Sequence, residues 1–422
     1  MAKGPLHAIA AVLLLILVSP ISGRAQEWKD PLSTRGVNPT VVYGGSVFSD
    51  LAGGIERGET YSGNLDLQLA VDGERLFHLP GLTLFVAGLW VQGGHERELS
   101  GDAQGASNLS APSQITLYEC WFQYNLFDNR FSILGGRYDL GSEFYRLQTA
   151  GLFLNSSFGT GPEFSNSGLE GPSIFPDTSV GARLAFKPAP NVVVRASVLD
   201  GVPFDRPDGS TGAFERGDGL LLVTEAAFLN RAARGEPRSR VRFRVGRSSG
   251  LPPYDDKVAV GVWHYTGTFD DLSHVDPEGK PVQRRGSSGV YALADATLFR
   301  SQADPGKRVT GFVQLGLGDE RVDRFGSYVG SGLVGTGLVP TRSTDELGLA
   351  VAMARNGSHY IDQRVSLGLG TTRSETAVEV TYLAQLARWL AVQPDLQYVF
   401  HPNTDPAVPN ALALQVRFEV TF

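Results

Sequence analysis

Hydrophobic and polar residues alternate one for one over long stretches of this chain. The clearest stretch closes the sequence. Leu412, Leu414, Val416, Phe418, Val420 and Phe422 fall on one face; Ala413, Gln415, Arg417, Glu419 and Thr421 fall on the other. A period of two is that of a strand with one apolar and one wet side. The alternation recurs at 61–72, 115–127, 257–266, 375–383 and 391–400. In 115–127, Tyr118, Cys120, Phe122, Tyr124 and Leu126 oppose Glu119, Trp121, Gln123 and Asn125. Strands of about ten residues, tilted by ~45°, span the hydrocarbon of a bilayer.

Weaker alternation predicts further strands at 41–51, 82–94, 130–140, 178–187, 190–200, 217–229, 238–248, 287–300, 307–318, 327–338 and 343–354. With 60–72, 114–127, 256–267, 374–386, 390–400 and 411–422 they total seventeen. Single-chain bacterial barrels have an even number of strands, with short turns at one rim and long loops at the other. Connections alternate as required from both ends of the chain: 127–130 short, 140–178 long, 187–190 short, then 386–390 short and 400–411 long. The two countings clash only between about 229 and 256, so 217–248 holds one strand too many. The expected fold is therefore all-β, a transmembrane antiparallel barrel of sixteen strands with both barrel ends at the periplasmic rim.

The amino terminus supports export. Lys3 and His7 precede an apolar run at 8–18 and a small-residue tail at 19–25, with Gly23 and Ala25 suited to positions −3 and −1 of a cleavage site. The expected division is a signal peptide at 1–25, a periplasmic segment at 26–40 and a barrel at 41–422. Asp72 to Pro80 has room for one helical turn in a periplasmic connection. The Gly-, Ser-, Phe- and Pro-rich stretch 141–177 is the longest without strand pattern, and is expected to fold inward and narrow a pore.

A net charge of −7 with no basic stripe argues against a nucleic-acid partner. Cys120 is the single cysteine and falls on the lipid-facing parity, so neither a disulfide nor a cysteine metal site is expected. The seven histidines are scattered without i, i+4 pairing, and no metal centre or cofactor is expected. Gly330-Ser331-Gly332-Leu333-Val334-Gly335 has the spacing of a dinucleotide loop but lacks its βαβ setting, and reads as a Gly-rich strand. Asn356-Gly357-Ser358 marks a loop.

Several blocks resemble the carbohydrate-selective porins of the OprB type. They are Gly135-Gly136-Arg137-Tyr138-Asp139 with Ser142-Glu143-Phe144; 153–159; 257–267 leading to Phe269-Asp270-Asp271; 289–291 with Ala294-Asp295; and 379–382, Trp389, 393–398 and His401-Pro402. They run in order over about 60–422. The resemblance implies a sixteen-stranded pore for small sugars, monosaccharides such as glucose. It also leaves a general-diffusion pore without sugar selectivity open.

A charge at mid-membrane on the lipid face costs about 2–4 kcal/mol for Arg or Lys, so the polar faces must line a lumen. By parity the lumen-facing candidates are Asp66, Gln68, Glu119, Trp121, Gln123, Glu379, Asp395, Gln397, Arg417 and Glu419. The resemblance adds Arg137, Asp139, Glu143 and Phe144, where strand 130–140 enters the long loop. Such groups suit weak contacts with sugar hydroxyls and ring faces, or they brace the loop instead. Two other classes stay open: a barrel enzyme using Glu119 and Glu379 as an acid/base pair on glycans, and a plugged structural barrel. The expected partners are outer-membrane lipid, small sugars and, through Phe422, the barrel-assembly machinery; homo-oligomerisation is left open.

Overall fold

The computed structural model describes residues 31–203, 212–215, 217–230, 254–304 and 306–422. Among them run sixteen strands. The first eight are β1 (Val37–Ala52), β2 (Gly58–Asp72), β3 (Leu82–Gln92), β4 (Gln114–Leu126), β5 (Phe131–Tyr138), β6 (Ser179–Ala189), β7 (Val192–Asp200) and β8 (Leu220–Asn230). The others are β9 (Asp256–Val275), β10 (Pro281–Arg300), β11 (Arg308–Leu317), β12 (Phe325–Thr336), β13 (Glu346–Asn356), β14 (Ser374–Ala387), β15 (Leu390–Phe400) and β16 (Ala411–Thr421). Each pairs antiparallel with the next, and β1 pairs with β16 from Val42↔Thr421 to Ala52↔Leu412, closing the ring. Closure leaves no unpaired backbone edge, which hydrocarbon requires.

Parity decides the faces. Leu67 and Leu69 on β2, Val258, Val260 and Val262 on β9, Leu347, Leu349 and Val351 on β13, and Leu414 and Val416 on β16 are exposed outside. Their neighbours in sequence, Asp66 and Gln68 on β2 and Arg417 and Glu419 on β16, are buried inside. Cys120 is on the exposed outer face. The Gly330–Gly335 run lies within β12.

The structure bears out the surplus strand in 217–248 and corrects the strand reading at three places. β8 pairs directly with β9 from Leu221↔Tyr265 to Asn230↔Asp256, so the ring has no place for a strand between them. The surplus candidate, 238–248, lies outside the described residues. β1 starts at Val37, four residues ahead of the expected barrel start. In β4 the register jumps from Ala87↔Glu119 to Gly88↔Leu117, a bulge that carries Tyr118 from the lipid parity into the interior. β9 and β10 are each 20 residues long, against the 9–11 that a bilayer needs. Their outer ends form a hairpin beyond the lipid band, where no apolar face is required and the alternation fades.

The expected helical turn after β2 is present at Gly73–Phe77, capped by Asp72 Oδ1 accepting from the Glu74 and Arg75 amides. Long connections gather at the other rim, and two of them turn into the barrel.

Candidate functional site: the narrowed lumen

The β5–β6 connection enters the lumen because its apolar side chains find an apolar wall there. Phe144, Tyr145, Leu147, Leu152, Phe153, Phe158 and Phe164 are buried in one cluster with the wall residues Trp263, Tyr265, Tyr291, Phe312 and Tyr328. Phe164 stacks on Trp263 with centroids 5.1 Å apart, Tyr145 meets Tyr291 at 4.4 Å, and Phe153 meets Phe312 at 5.7 Å. Such pairs add about 0.5–1.5 kcal/mol each beyond their buried area. The wall makes room with glycine: a Cβ at Gly316 of β11 would collide with the Glu163 carboxyl.

Hydrophobic contact alone leaves the loop's backbone amides buried, and wall carboxylates satisfy them. Glu379 on β14 accepts from the amides of Leu154 (2.6 Å) and Asn155 (3.0 Å). Asp295 on β10 accepts from the Gln148 and Thr149 amides at 2.8 and 3.0 Å. Glu225 on β8 accepts from the Tyr145 amide at 3.0 Å and from Lys257 Nζ at 3.0 Å. Gln393 and Gln314 donate to the carbonyls of Leu152 and Phe158. A hydrogen bond to a charged group is worth about 1.5–3 kcal/mol, and a stranded buried partner costs as much.

A second connection, β3–β4, also turns inward, which strand periodicity did not foretell. Glu375 accepts from the Ala103 and Gln104 amides at 2.8 and 3.0 Å, and Gln397 and Gln415 both donate to the Ala106 carbonyl. The two loops join through Asn108 N–H to Leu154 O and Ser156 N–H to Gly105 O, both 2.8 Å. The one signal available was composition: 101–113 is Ser-, Ala- and Gly-rich without charge beyond Asp102.

Between these loops and the arc β16–β1–β2 lies a cavity of about 490 Å³, within the ~300–1,000 Å³ of small-molecule sites. Asn64, Asp66, Arg97, Arg146, Arg417 and Glu419 border it, with Phe153 and Phe158 on the loop side. Asn64 is buried on β2, and among the described residues neither its amide oxygen nor its amide nitrogen has a hydrogen-bond partner.

The sequence candidates divide accordingly. Asp66, Asp139, Arg417 and Glu419 border the cavity. Gln68 is buried on the inner face of β2, two residues beyond Asp66. Glu119 accepts from the Asp139 amide (3.1 Å) and from Trp121 Nε1 (3.2 Å), while Trp121 stacks on Phe85. Glu143 pairs with Arg183 at 2.6 and 2.8 Å, and Arg183 also donates to half-buried Gln123. Phe144 is in the loop's apolar seat. Asp395 accepts from Gln397, which in turn accepts from Asn155.

Arg137 is placed elsewhere. Leu134 and Tyr138 point into the inner cluster, so Arg137, paired with outward Cys120, takes the outer parity of β5. It is half-buried and donates to Thr178 Oγ1 at 2.8 Å.

Burial raises the acids of the loops. Asp139 is pushed up to about 6, against the pull of the Gly141 amide and the Arg146 charge. Glu163 is pushed up to about 7, although the Tyr145 hydroxyl donates to it at 2.8 Å.

Residues 56–422 match the sequence profile of the OprB family of carbohydrate-selective porins. Porin B of Pseudomonas aeruginosa is 23% identical over 426 aligned positions, covering 93% of this chain and 88% of that protein. Among solved structures, the high-pH structure of Pseudomonas putida OprB superposes with a TM-score of 0.77 at 19% identity, over 93% of this chain and 96% of the other. Its low-pH structure gives 0.58 at 17%, over 95% and 97%. The outer-membrane channel DcaP of Acinetobacter baumannii gives 0.53 at 10%, over 92% and 97%. At these identities the structural likeness speaks for the fold.

Proposed function

Because this chain belongs to the OprB family of carbohydrate-selective porins, outer-membrane barrels through which sugars diffuse, we propose that its permeants are monosaccharides such as glucose and that they pass beside the two inward loops. The observation that carries this reading is the cavity between the loops and the β16–β1–β2 arc. Its border mixes amides, carboxylates and guanidinium groups with aromatic rings. Hydroxyls find donors and acceptors there, and the rings offer faces to the apolar side of a pyranose. No single group encloses a solute, and weak multiple contacts let it leave as easily as it enters.

The chain acts as a channel without catalytic turnover. The carboxylates once open to an acid/base role support this: both oxygens of Glu379 accept loop amides, and Glu119 accepts the Asp139 amide. The segment 141–177 is the constriction loop in this reading, and 1–25, outside the described residues, is its export signal. Assembly runs through the terminal strand. Phe422 donates its amide to Val41 O at 2.9 Å, and its deletion is expected to lower the yield of heat-modifiable barrel in the outer membrane.

Liposome swelling with sugars of increasing size tests the permeant. Entry of glucose faster than that of disaccharides or of similar-sized amino acids is expected. Equal rates for all solutes of one size would replace sugar selectivity by general diffusion.

A further inference from the structure

Three donor groups meet at the outer rim, away from the lumen. Asp271 and His274 stand on the protruding end of β9; His359 stands on the helix Ser358–Ser366 in the β13–β14 connection. His274 Nδ1 and His359 Nδ1 each lie 3.1 Å from Asp271 Oδ1. All three donor atoms fall within 4.8 Å of one another. Ser273 Oγ is 3.2 Å from the first ring nitrogen and 3.0 Å from the second.

We propose that Asp271, His274 and His359 bind a divalent transition-metal ion of the zinc class, which staples the β9–β10 hairpin to the β13–β14 loop. Two imidazoles and one carboxylate are a borderline donor set that favours such ions over calcium or magnesium. Tetrahedral zinc at about 2.0–2.1 Å from its ligands spaces them roughly 3.3–3.4 Å apart. Two of the three edges are already near that length, and the third closes by at most about 1.5 Å. Ser273 Oγ or a water fills the fourth corner. On binding, each Nδ1 exchanges its contact with Oδ1 for a bond to the ion.

The surroundings hold the donors in place, as outer groups do around metal sites. Arg284 Nε donates to Asp271 Oδ2 at 2.8 Å and leaves Oδ1 facing the rings. The Ser273 and His274 amides also fix Oδ1. The β11–β12 connection braces both halves: the Leu272 amide donates to Arg321 O at 2.9 Å, and the Ser358 amide and hydroxyl donate to Glu320 at 2.9 and 2.7 Å. His274 is largely exposed and His359 partly so, which gives an ion a route in from the medium.

The test uses the full barrel in detergent, without a histidine tag. Zn²⁺ titrated by calorimetry is expected to bind one ion per chain in the micromolar range or tighter. His274→Ala and His359→Ala are each expected to weaken binding at least tenfold, while His95→Ala, at another loop, leaves it unchanged. Zn²⁺, and not Ca²⁺, is expected to slow tryptic cleavage after Arg364 and Arg373 severalfold. Heat-modifiable migration shows that each variant is folded. Unchanged Zn²⁺ binding in the folded double variant, or no binding by the parent chain at 100 µM ion, overturns the site. Binding without protease protection overturns the staple.

Discussion

Glu379 on β14 and Asp66 on β2 occupy equivalent positions: each is acidic, buried and inward, between outward apolar neighbours. Their work differs because of what lies above them. Glu379 holds two amides of the inward loop, whereas Asp66 borders the cavity on the β2 side. From β8 to β15 the inner wall is largely consumed in seating loops, by aromatic rings as much as by carboxylates. Along β16, β1 and β2 the inner wall borders the cavity, and there Gln415 and Arg417 also hold the β3–β4 loop. The lumen thus has two surfaces of one polarity: one seats the β5–β6 loop, and in the proposed reading the other meets the solute.

Removing a loop anchor should break this division most strongly. Glu379→Ala strands two buried amides, each worth about 1.5–3 kcal/mol when paired with charge, and the loop is expected to leave its seat. Single-channel conductance should rise severalfold and disaccharides should gain entry, with barrel assembly intact. A conductance equal to that of the parent would show that the aromatic seat suffices alone.

On the cavity side of β2, a charge change should alter ion choice without disturbing the β5–β6 loop. Asp66→Arg is expected to shift the reversal potential in a salt gradient toward anions and to slow glucose entry, while disaccharides stay excluded. An unchanged reversal potential would remove Asp66 from the path.

The loop seat should also respond to pH through Glu163. Its carboxyl titrates near 7 when folded against about 4.5 in a free chain, so the protonated form favours the seated loop. That contribution is complete below about 4.5 and is lost as pH rises through 7. Protease susceptibility of the loop should therefore increase between pH 5 and 8, and Glu163→Gln should flatten the profile. A rise of the same size in the Gln variant would assign the effect to another group.

Arg137→Ala should have the smallest effect, since its side chain lies on the outer parity of β5 and bonds Thr178. Current and ion preference are expected to match those of the parent. A shifted reversal potential would return it to the lumen.

Strand number, barrel closure and the inner and outer faces were legible in the alternation of residues such as Leu412 to Phe422. Hydrocarbon on one side and water on the other act on every residue of a spanning strand, so the constraint is written locally. The bulge at Tyr118 escaped because one extra residue flips parity without changing composition. The roles of Glu119, Glu143 and Glu379 escaped for a different reason. A buried carboxylate takes its job from the donor it meets, and the amides of Leu154 and Asn155 are more than two hundred residues from Glu379 in sequence. The same holds for His274 and His359, which no spacing pairs and which the outer loops bring to one oxygen atom. Alternation sets which way a side chain points; only the closed ring and its infolded loops decide what it finds there.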